Sequence, residues 1–219
     1  MYLLERASKK LADKVSAELD YDQDRKEVVA YGAYAIMQLA FSILMIVVFG
    51  IIFDVLVEAL VITASGAILR RYTGGAHASS PNICVVVGTV VCIGFALLST
   101  LTIFVDFWLI VALVLSVYLI SFWLINRFAP VDSENKPISE KRKPAMKRGG
   151  MILNGIYLLL NTGIIMGAAV SGNQKWLVFS VCIALGVLWQ VFSITPVGGV
   201  WLGKLDRLLS FKRTVKTNG

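Results

Sequence analysis

Long runs of apolar residues alternate with short polar segments along most of the chain. Six of these runs are long enough, at 1.5 Å per residue, to form helices that cross a hydrocarbon core about 30 Å thick. We predict spans at about 28–50, 55–69, 83–105, 107–125, 150–170 and 176–196. The second span is the shortest and contains an acidic residue, Glu58. The pattern predicts an all-α, polytopic integral membrane protein with six transmembrane helices.

The two ends of the chain differ from its apolar centre. Residues 1–27 are rich in charge, and small and branched apolar residues recur there at helical spacing, which predicts an amphipathic helix. This helix could lie on the inner membrane surface or pack on the cytoplasmic ends of the bundle. Residues 28–200 form the predicted six-span domain. Residues 201–219 form a basic cytoplasmic tail, whose first part predicts a second interfacial helix entered through Pro196.

The positions of the basic residues predict how the spans are oriented. Six lie in 1–27, two in 70–82, seven in 126–149 and five in 201–219, so these segments hold 20 of the 21 lysines and arginines. Cytoplasmic segments of membrane proteins carry an excess of Lys and Arg. Six spans with both termini in the cytoplasm place all four segments on that side. The formal charge of +7 then reflects topology, and we expect no nucleic-acid partner.

Composition agrees with this class, since only 16% of the residues are charged, against about a quarter in soluble domains. The polar residues within the spans are therefore informative. Asn154 and Asn161 are seven residues apart, which puts both amides on one helical face. They could join helices by hydrogen bonds or line a groove that contacts a substrate. Glu58 is a carboxylate within a span that could be functional or could reach water at the outer face.

The segment between the second and third predicted spans holds the candidate chemistry. His77 is the only histidine in the chain, so any cysteine–histidine catalysis must use it. Cys92 and Cys182 lie deep in apolar runs, where a thiol stays protonated. Cys84 instead follows residues 80–81, a Ser-Pro pair typical of the N-cap and first position of a helix. The positive end of that helix dipole favours a thiolate.

Neighbouring residues could support a thiolate at Cys84. The guanidinium groups of Arg70 and Arg71 would add to its stabilisation. The pair Gly74-Gly75 can approach a substrate closely, and its amides could form an oxyanion hole. A cysteine near a histidine is often coincidental, but here the histidine is solitary and the cysteine begins a helix. One histidine and one accessible cysteine cannot complete a zinc site, so we expect neither a metal nor another cofactor.

A basic loop is the candidate substrate-binding element. The loop 126–149 contains Lys141, Arg142 and Lys143, whose charge sets topology and could also dock an acidic peptide. Together with Asn154, these three residues are the candidate substrate-binding positions.

One part of this sequence resembles a known family. The stretch Arg71-Tyr72-Thr73-Gly74-Gly75-Ala76-His77-Ala78, followed by Cys84, resembles accessory gene regulator B (AgrB), a family of quorum-sensing propeptide-processing endopeptidases of Gram-positive bacteria. The likeness continues at residues 129–138 and at 193–196, and it covers nearly the whole chain. It implies a multi-pass thiol protease of the cell membrane, with Cys84 as nucleophile and His77 as general base. Arg70 or Arg71 and Gly75 would be supporting positions.

The resemblance also implies a substrate, an AgrD-like propeptide with an amphipathic leader, a central signal segment and an acidic tail. The enzyme would remove the tail through a Cys84 thioester and close the signal segment into a thiolactone or lactone ring. Its partners would be this propeptide, membrane lipids and, in a homodimer, a second copy of the chain. Two other functions fit the residues: a membrane S-acyltransferase, and a small peptide exporter in which Cys84 is incidental.

Overall fold

Eight α-helices account for most of the chain that the structure describes. The structure is a computed structural model that describes residues 3–75, 81–132 and 138–214. A short 3-10 turn, Leu101–Phe104, extends the fourth helix, and no strand is present within those ranges. The helices are α1 (Leu3–Leu19), α2 (Gln23–Ile52), α3 (Leu56–Thr73), α4 (Pro81–Thr100), α5 (Phe107–Phe128), α6 (Lys143–Ser171), α7 (Lys175–Ser193) and α8 (Pro196–Thr214).

Five of the described helices are long and apolar enough to cross a membrane, against six predicted spans. They are α2, α4 with its 3-10 extension, α5, α6 and α7. The chain is therefore an all-helical, multi-pass membrane protein. The predicted second span is a helix, α3, but it is not one of the five. Glu58 in its first turn and Arg70 and Arg71 in its last turn reduce its apolar length.

Small residues let α3 pack closely against α7, its most extensive neighbour. A Cβ atom added at Gly66 of α3 would lie 3.1 Å from the carbonyl oxygen of Gly186 in α7. A Cβ at Gly186 would in turn meet the backbone of Ile62 and the hydroxyl of Ser65. Such small-residue contacts are how helices approach one another in lipid, where no hydrophobic force draws them together. The packing holds α3 firmly inside the bundle.

Contacts between helix ends show which ends lie together. Thr73, at the end of α3, accepts a hydrogen bond from Gln190 near the end of α7. A Cβ at Gly150, near the start of α6, would lie 3.3 Å from the Thr73 side chain and 3.5 Å from that of Ile125, near the end of α5. The last turns of α3, α5 and α7 therefore meet the first turns of α6 at one end of the bundle.

The two predicted intramembrane amides lie on one face of α6, as their spacing predicted, and both are fully buried. Asn154 Nδ2 donates to the carbonyl oxygen of Tyr118 over 3.5 Å, and Asn161 Nδ2 donates to the hydroxyl of the same tyrosine. Both amides thus join α6 to α5. This geometry agrees with the packing role that their spacing suggested, and a substrate contact at Asn154 stays a prediction.

The amphipathic segment at the start of the chain is a helix, as predicted, and α1 packs against α2. Its buried residues are the small ones, Ser8, Ala12 and Ser16, whereas Leu11 and Leu19 are exposed. An ion pair between Lys26 and Asp13, 2.7 Å long, adds to the contact between the two helices. The exposed leucines suit an apolar environment, but the place of α1 at the membrane surface stays a prediction.

Candidate active site

The predicted nucleophile lies at the start of α4. The structure describes this helix from Pro81, so Cys84 is the fourth of its described residues, and its side chain is partly buried. Cys92 and Cys182 are buried in the core of the helix bundle. The Thr63 hydroxyl donates to Cys92 Sγ over 3.5 Å, and Cys182 Sγ donates to the Ser99 hydroxyl over 3.2 Å. Of the three thiols, only Cys84 is both near a helix start and partly accessible. His77 and Ser80 lie outside the described residues.

The chain leaves α3 through a short segment, Thr73–Gly75, which we call the glycine arm. Gly74 has φ 67° and ψ −146°, a combination that is essentially confined to glycine. A Cβ at Gly74 would overlap the carbonyl oxygen of Val131. Val131 N–H donates to the Thr73 carbonyl over 2.9 Å, and Gly74 and Val131 form a parallel bridge. The segment after α5 therefore holds one side of the glycine arm.

Helix α7 holds the other side of the glycine arm through Gln190. This side chain is 2% exposed, and its Nε2 donates to Thr73 Oγ1 over 2.8 Å and to the Gly74 carbonyl over 2.7 Å. Ser193, one turn later, donates its hydroxyl to the Gln190 carbonyl over 2.7 Å. A Cβ at Gly75 would lie 2.8 Å from that hydroxyl oxygen. With φ 143° and no free space, Gly75 also requires glycine.

The two amides of the glycine arm have different surroundings. Gly74 N–H donates to the Arg70 carbonyl over 3.0 Å and so caps the end of α3. Gly75 N–H makes no hydrogen bond to another residue that the structure describes, although Gly75 itself is buried. The Gly74 amide is therefore occupied, and of the two amides predicted to form an oxyanion hole only that of Gly75 stays a candidate.

Arg70 connects the glycine arm to Cys84. Its Nη1 atom would lie 3.4 Å from a Cβ built on Gly75, so the guanidinium packs against the arm. Arg70 also has an electrostatic interaction with Cys84. Of the two arginines predicted to support the cysteine, Arg70 is the one that packs on the glycine arm. Arg71 is exposed.

The predicted basic cluster is divided by the structure. Lys143 Nζ pairs with Asp132 Oδ2 over 2.9 Å and with Glu140 Oε1 over 2.6 Å. Asp132 Oδ1 also accepts the Ile138 N–H over 2.8 Å, and these bonds, led by that from Lys143, lower the pKa of the Asp132 carboxyl. Lys141 and Arg142 are exposed and form no ion pair with another described residue. Lys143 thus braces the segment that carries Val131, and only its two neighbours present unpaired charge.

Several residues of the site were not predicted. Gln190 is the only glutamine in the sixth predicted span. Because an amide within a span needs a hydrogen-bonding partner, this glutamine could have been predicted to join two helices. Asp132 and Val131 had no such signal, because their roles depend on a contact with the glycine arm. The start of α6 also belongs to the site, since a Cβ at Gly149 would collide with the ring of Tyr72.

Comparison with known proteins places this arrangement in a family. The family model for accessory gene regulator B matches residues 8–194, which spans the helix bundle and every site residue described above. The chain belongs to the accessory gene regulator B family. This family processes quorum-sensing propeptides, and its membrane character agrees with the helix bundle.

Curated relatives agree with the assignment to the accessory gene regulator B family. An AgrB-like protein 2 of Clostridium perfringens (strain 13 / Type A) is 36% identical over 210 residues, covering 93% of this chain and 97% of the relative. An AgrB-like protein of Clostridium perfringens (strain SM101 / Type A) is 38% identical over the same coverage. One from Clostridium acetobutylicum is 27% identical over 166 residues, or 75% of this chain and 72% of the relative. No solved structure matches the chain.

Proposed function

We propose that this protein is a membrane-embedded cysteine endopeptidase that removes the acidic tail of an AgrD-like propeptide and cyclises the signal segment. The observation that carries the proposal is the position of Cys84, which is partly accessible near the described start of α4, whereas Cys92 and Cys182 are buried. A helix start is an environment that favours the thiolate form of a cysteine. The family assignment supports propeptide processing as the reaction in which that thiolate is used.

The reaction proceeds in two acyl transfers. The thiolate of Cys84 attacks the carbonyl carbon of the scissile peptide bond, and His77 delivers a proton to the departing amine of the tail. The Gly75 amide donates to the oxyanion that forms on the carbonyl oxygen. A thiol or hydroxyl of the signal segment then attacks the Cys84 thioester, which closes the ring and returns the enzyme thiol. The product is lighter than the linear acid by one water.

A thioester is suited to ring closure. Hydrolysis would release the acyl group to water, whereas a Cys84 thioester keeps it activated for exchange with a peptide thiol at little thermodynamic cost. Water must be kept from the thioester while the ring closes, which suits a nucleophile at a membrane boundary. Forming the thioester from a peptide bond is uphill, so retention or removal of one product must draw the first step forward.

We further propose that α3 crosses the membrane, which gives six spans with both termini in the cytoplasm. Its last turn shares one end of the bundle with the last turns of α5 and α7. Its earlier residues Ala59 and Ile62 pack with Val178 and Cys182 in the first half of α7, so α3 runs beside α7 over most of the length of that helix. Both ends of the chain and the basic loop then lie on the side that holds 20 of 21 basic residues. The glycine arm and Cys84 also lie on that side.

In the basic loop Lys143 is paired, whereas Lys141 and Arg142 are exposed, and this difference allows a test of whether the loop docks the acidic tail. Reversing charge at both Lys141 and Arg142 to glutamate should raise KM for an acidic-tailed peptide several-fold, less so at high salt, because both side chains are exposed. Lys143→Gln should instead lower kcat with little change in KM, because it frees Asp132 and loosens the Val131 segment. Steady-state kinetics at two salt concentrations separate these effects. An unchanged KM in the double variant would remove the docking role.

A second test concerns the backbone of the glycine arm. Gly74→Ala should destabilise the arm by about 1–3 kcal/mol from its φ and ψ alone, and the added Cβ overlaps the Val131 carbonyl. Cleavage should fall at least tenfold, measured as the initial rate of tail release. Gly163→Ala is the matched control, since a Cβ at Gly163 meets nothing within 4 Å. Equal rates for the two variants would show that the arm's conformation is not needed.

The proposed function is tested by intact-mass analysis of the small peptide encoded beside this gene, co-expressed with the protein. We expect a tail-free product lighter by one water than the linear signal segment. A peptide exported at full length would favour the exporter. An acyl group on Cys84 without any peptide cleavage would favour the S-acyltransferase.

A further inference from the structure

An apolar groove lies on the outside of the bundle between α4, α7 and α8, and we call it the aromatic groove. Helix α4 contributes Gly94 and Phe95, α7 contributes Trp189 and Phe192, and α8 contributes Trp201. The groove has a volume of about 490 Å³, which is within the usual range of ligand pockets. Gly94 is exposed, and a Cβ there would meet nothing within 4 Å, so the groove opens where α4 has no side chain. No residue of the glycine arm lines it, and neither does Cys84.

The aromatic residues of this groove attach the start of α8 to the bundle. The centroid of the Trp201 ring lies 6.5 Å from that of Trp189 and 6.2 Å from that of Phe192, and both pairs meet edge to face. A Cβ at Gly198, near the start of α8, would overlap the Phe192 carbonyl oxygen. Helix α8 therefore meets α7 closely over a single turn, and the rings that make this contact also border the open groove.

The surroundings of the groove indicate what kind of molecule fits it. Val197 and Val200 on α8 are exposed, so the apolar surface continues beyond the groove. Walls of this kind offer water no hydrogen-bonding partners. Their atoms lose dispersion contacts for as long as the hollow is unfilled. A flexible apolar chain restores those contacts, and the acyl chains of lipids surround every multi-pass membrane protein.

Lys204 adds a positive charge beside the apolar groove. It follows Trp201 by three residues, so the two side chains are neighbours on the surface of α8. Lys204 is exposed and forms no ion pair with another residue whose side chain the structure describes. Tryptophan is enriched at the level of lipid headgroups, and lysine near a membrane surface attracts anionic lipids. The charge therefore complements a phosphate whose acyl chain lies in the groove.

We propose that the aromatic groove binds one acyl chain of an anionic phospholipid, whose phosphate is held by Lys204. The bound lipid packs between α4, α7 and α8 and so fixes the start of α8 on the bundle. This inference is independent of the proposed peptidase activity, because neither Cys84 nor a peptide takes part in the binding.

The test measures the quenching of tryptophan fluorescence by lipids that are brominated in their acyl chains. The full-length chain is placed in phosphatidylcholine vesicles, and the exposed Trp108, Trp123 and Trp176 are replaced by phenylalanine. This parent variant emits from Trp189 and Trp201 alone. Brominated phosphatidylglycerol, which is anionic, should reach half-maximal quenching at a mole fraction about fivefold below that of brominated phosphatidylcholine, the factor that one lysine near the membrane surface contributes.

Gly94→Leu tests the site of the acyl chain, because the new side chain fills the groove. Quenching at low mole fractions of phosphatidylglycerol should be lost, and the curves for the two lipids should converge. Gly88→Leu is the matched control on the same helix. A Cβ at Gly88 also meets nothing within 4 Å, but Gly88 does not line the groove. Its quenching curves should follow those of the parent variant.

Lys204→Gln tests the contact with the headgroup. The preference for phosphatidylglycerol should disappear, whereas quenching by phosphatidylcholine should be unchanged because the groove is intact. Lys175→Gln is the matched control, since Lys175 is an exposed lysine at the opposite end of α7. It should keep the preference of the parent variant. An unchanged preference in Lys204→Gln would overturn the assigned phosphate contact.

Three other outcomes would overturn the lipid site itself. Equal curves for the two lipids in the parent variant, with no effect of Gly94→Leu, would show general contact with the bilayer only. An equal loss in Gly88→Leu would assign the effect to the packing of α4. If the emission responds to added propeptide or to protein concentration but not to brominated lipid, the groove holds the peptide or a second copy of the chain.

A second measurement needs no substitution in the groove and decides the matter if Gly94→Leu does not insert. Native mass spectrometry of wild type should show one phosphatidylglycerol that stays bound under conditions that remove phosphatidylcholine. Equal retention of the two lipids would contradict the proposal.

Discussion

Cys84→Ala is expected to abolish tail removal and ring closure, lowering the rate by at least about 10³-fold, the scale seen when a catalytic nucleophile is removed. The substitution removes one sulfur atom from the first turns of α4 and places alanine, a good helix former, in its position. The helix should therefore persist, and the protein should insert and fold as wild type does. The measurement is the intact mass of the co-expressed peptide, which should stay uncut.

The matched control for Cys84→Ala is Cys92→Ala on the same helix. Cys92 is buried beside Thr63, so its loss affects packing and not the site. Its peptide product should match that of wild type, even if the protein melts at a lower temperature. A peptide that is cut normally in the presence of Cys84→Ala would show that Cys84 is not the nucleophile, and it would favour the exporter as the function of this protein.

Cys84→Ser extends the same test to the chemistry of the acyl enzyme. A serine would form an ester, from which a thiolactone lies uphill, and its hydroxyl is a far weaker nucleophile than a thiolate. We expect little cleavage, and no ring from whatever is cleaved. Ring formation by the serine variant would show that the thioester is not the intermediate.

Helix positions could be predicted from the sequence because lipid-spanning helices need long apolar runs. The sequence also predicted that Cys84 lies near the start of a helix, and the described part of α4 begins at Pro81. The predicted N-cap, Ser80, lies outside the described residues. The least certain predicted span was the second, which corresponds to α3, because the charged residues at the ends of α3 shorten its apolar length. Its neighbours hold it in the bundle, and a sequence pattern does not show those neighbours.

Contacts between distant segments were beyond what spacing could predict. Lys143 was predicted from its charge to be a substrate-binding residue, and its ion pairs with Asp132 and Glu140 could not be predicted, because they form where the chain turns back between α5 and α6. The same return brings Val131 against Gly74. The role of Gln190 could not be predicted for a similar reason, since its hydrogen-bond partners lie more than a hundred residues earlier in the chain. Each of these roles depends on tertiary contacts that no local pattern encodes.

The face of α1 that packs on α2 could not be identified from the sequence. Apolar residues recur at helical spacing in residues 1–27, but the buried residues of α1 are Ser8, Ala12 and Ser16. Small side chains allow two helices to approach closely, whereas leucine side chains are as stable in contact with lipid as in contact with protein. In a membrane protein an apolar stripe therefore does not by itself identify the face that contacts protein.

His77→Ala is expected to lower the rate of tail release by about 10² to 10⁴-fold, the usual contribution of a general acid–base. His77 is the only histidine in the chain, so no other imidazole can replace it. Arg70 remains in the variant, but a guanidinium cannot give up a proton to the departing amine. The variant should therefore reach the thiolate only slowly at neutral pH and should stall at the protonation of the tail.

The pH dependence of His77→Ala distinguishes these two contributions of the imidazole. If its main role is to remove the proton from Cys84, hydroxide can replace it, and activity of the variant should recover as the pH rises. If its main role is to protonate the tail, activity should stay low at every pH, because no acid replaces it. Tail release by wild type and variant is measured from pH 6 to about pH 10. Equal rates at neutral pH would mean that Arg70 and the start of α4 activate Cys84 without the histidine.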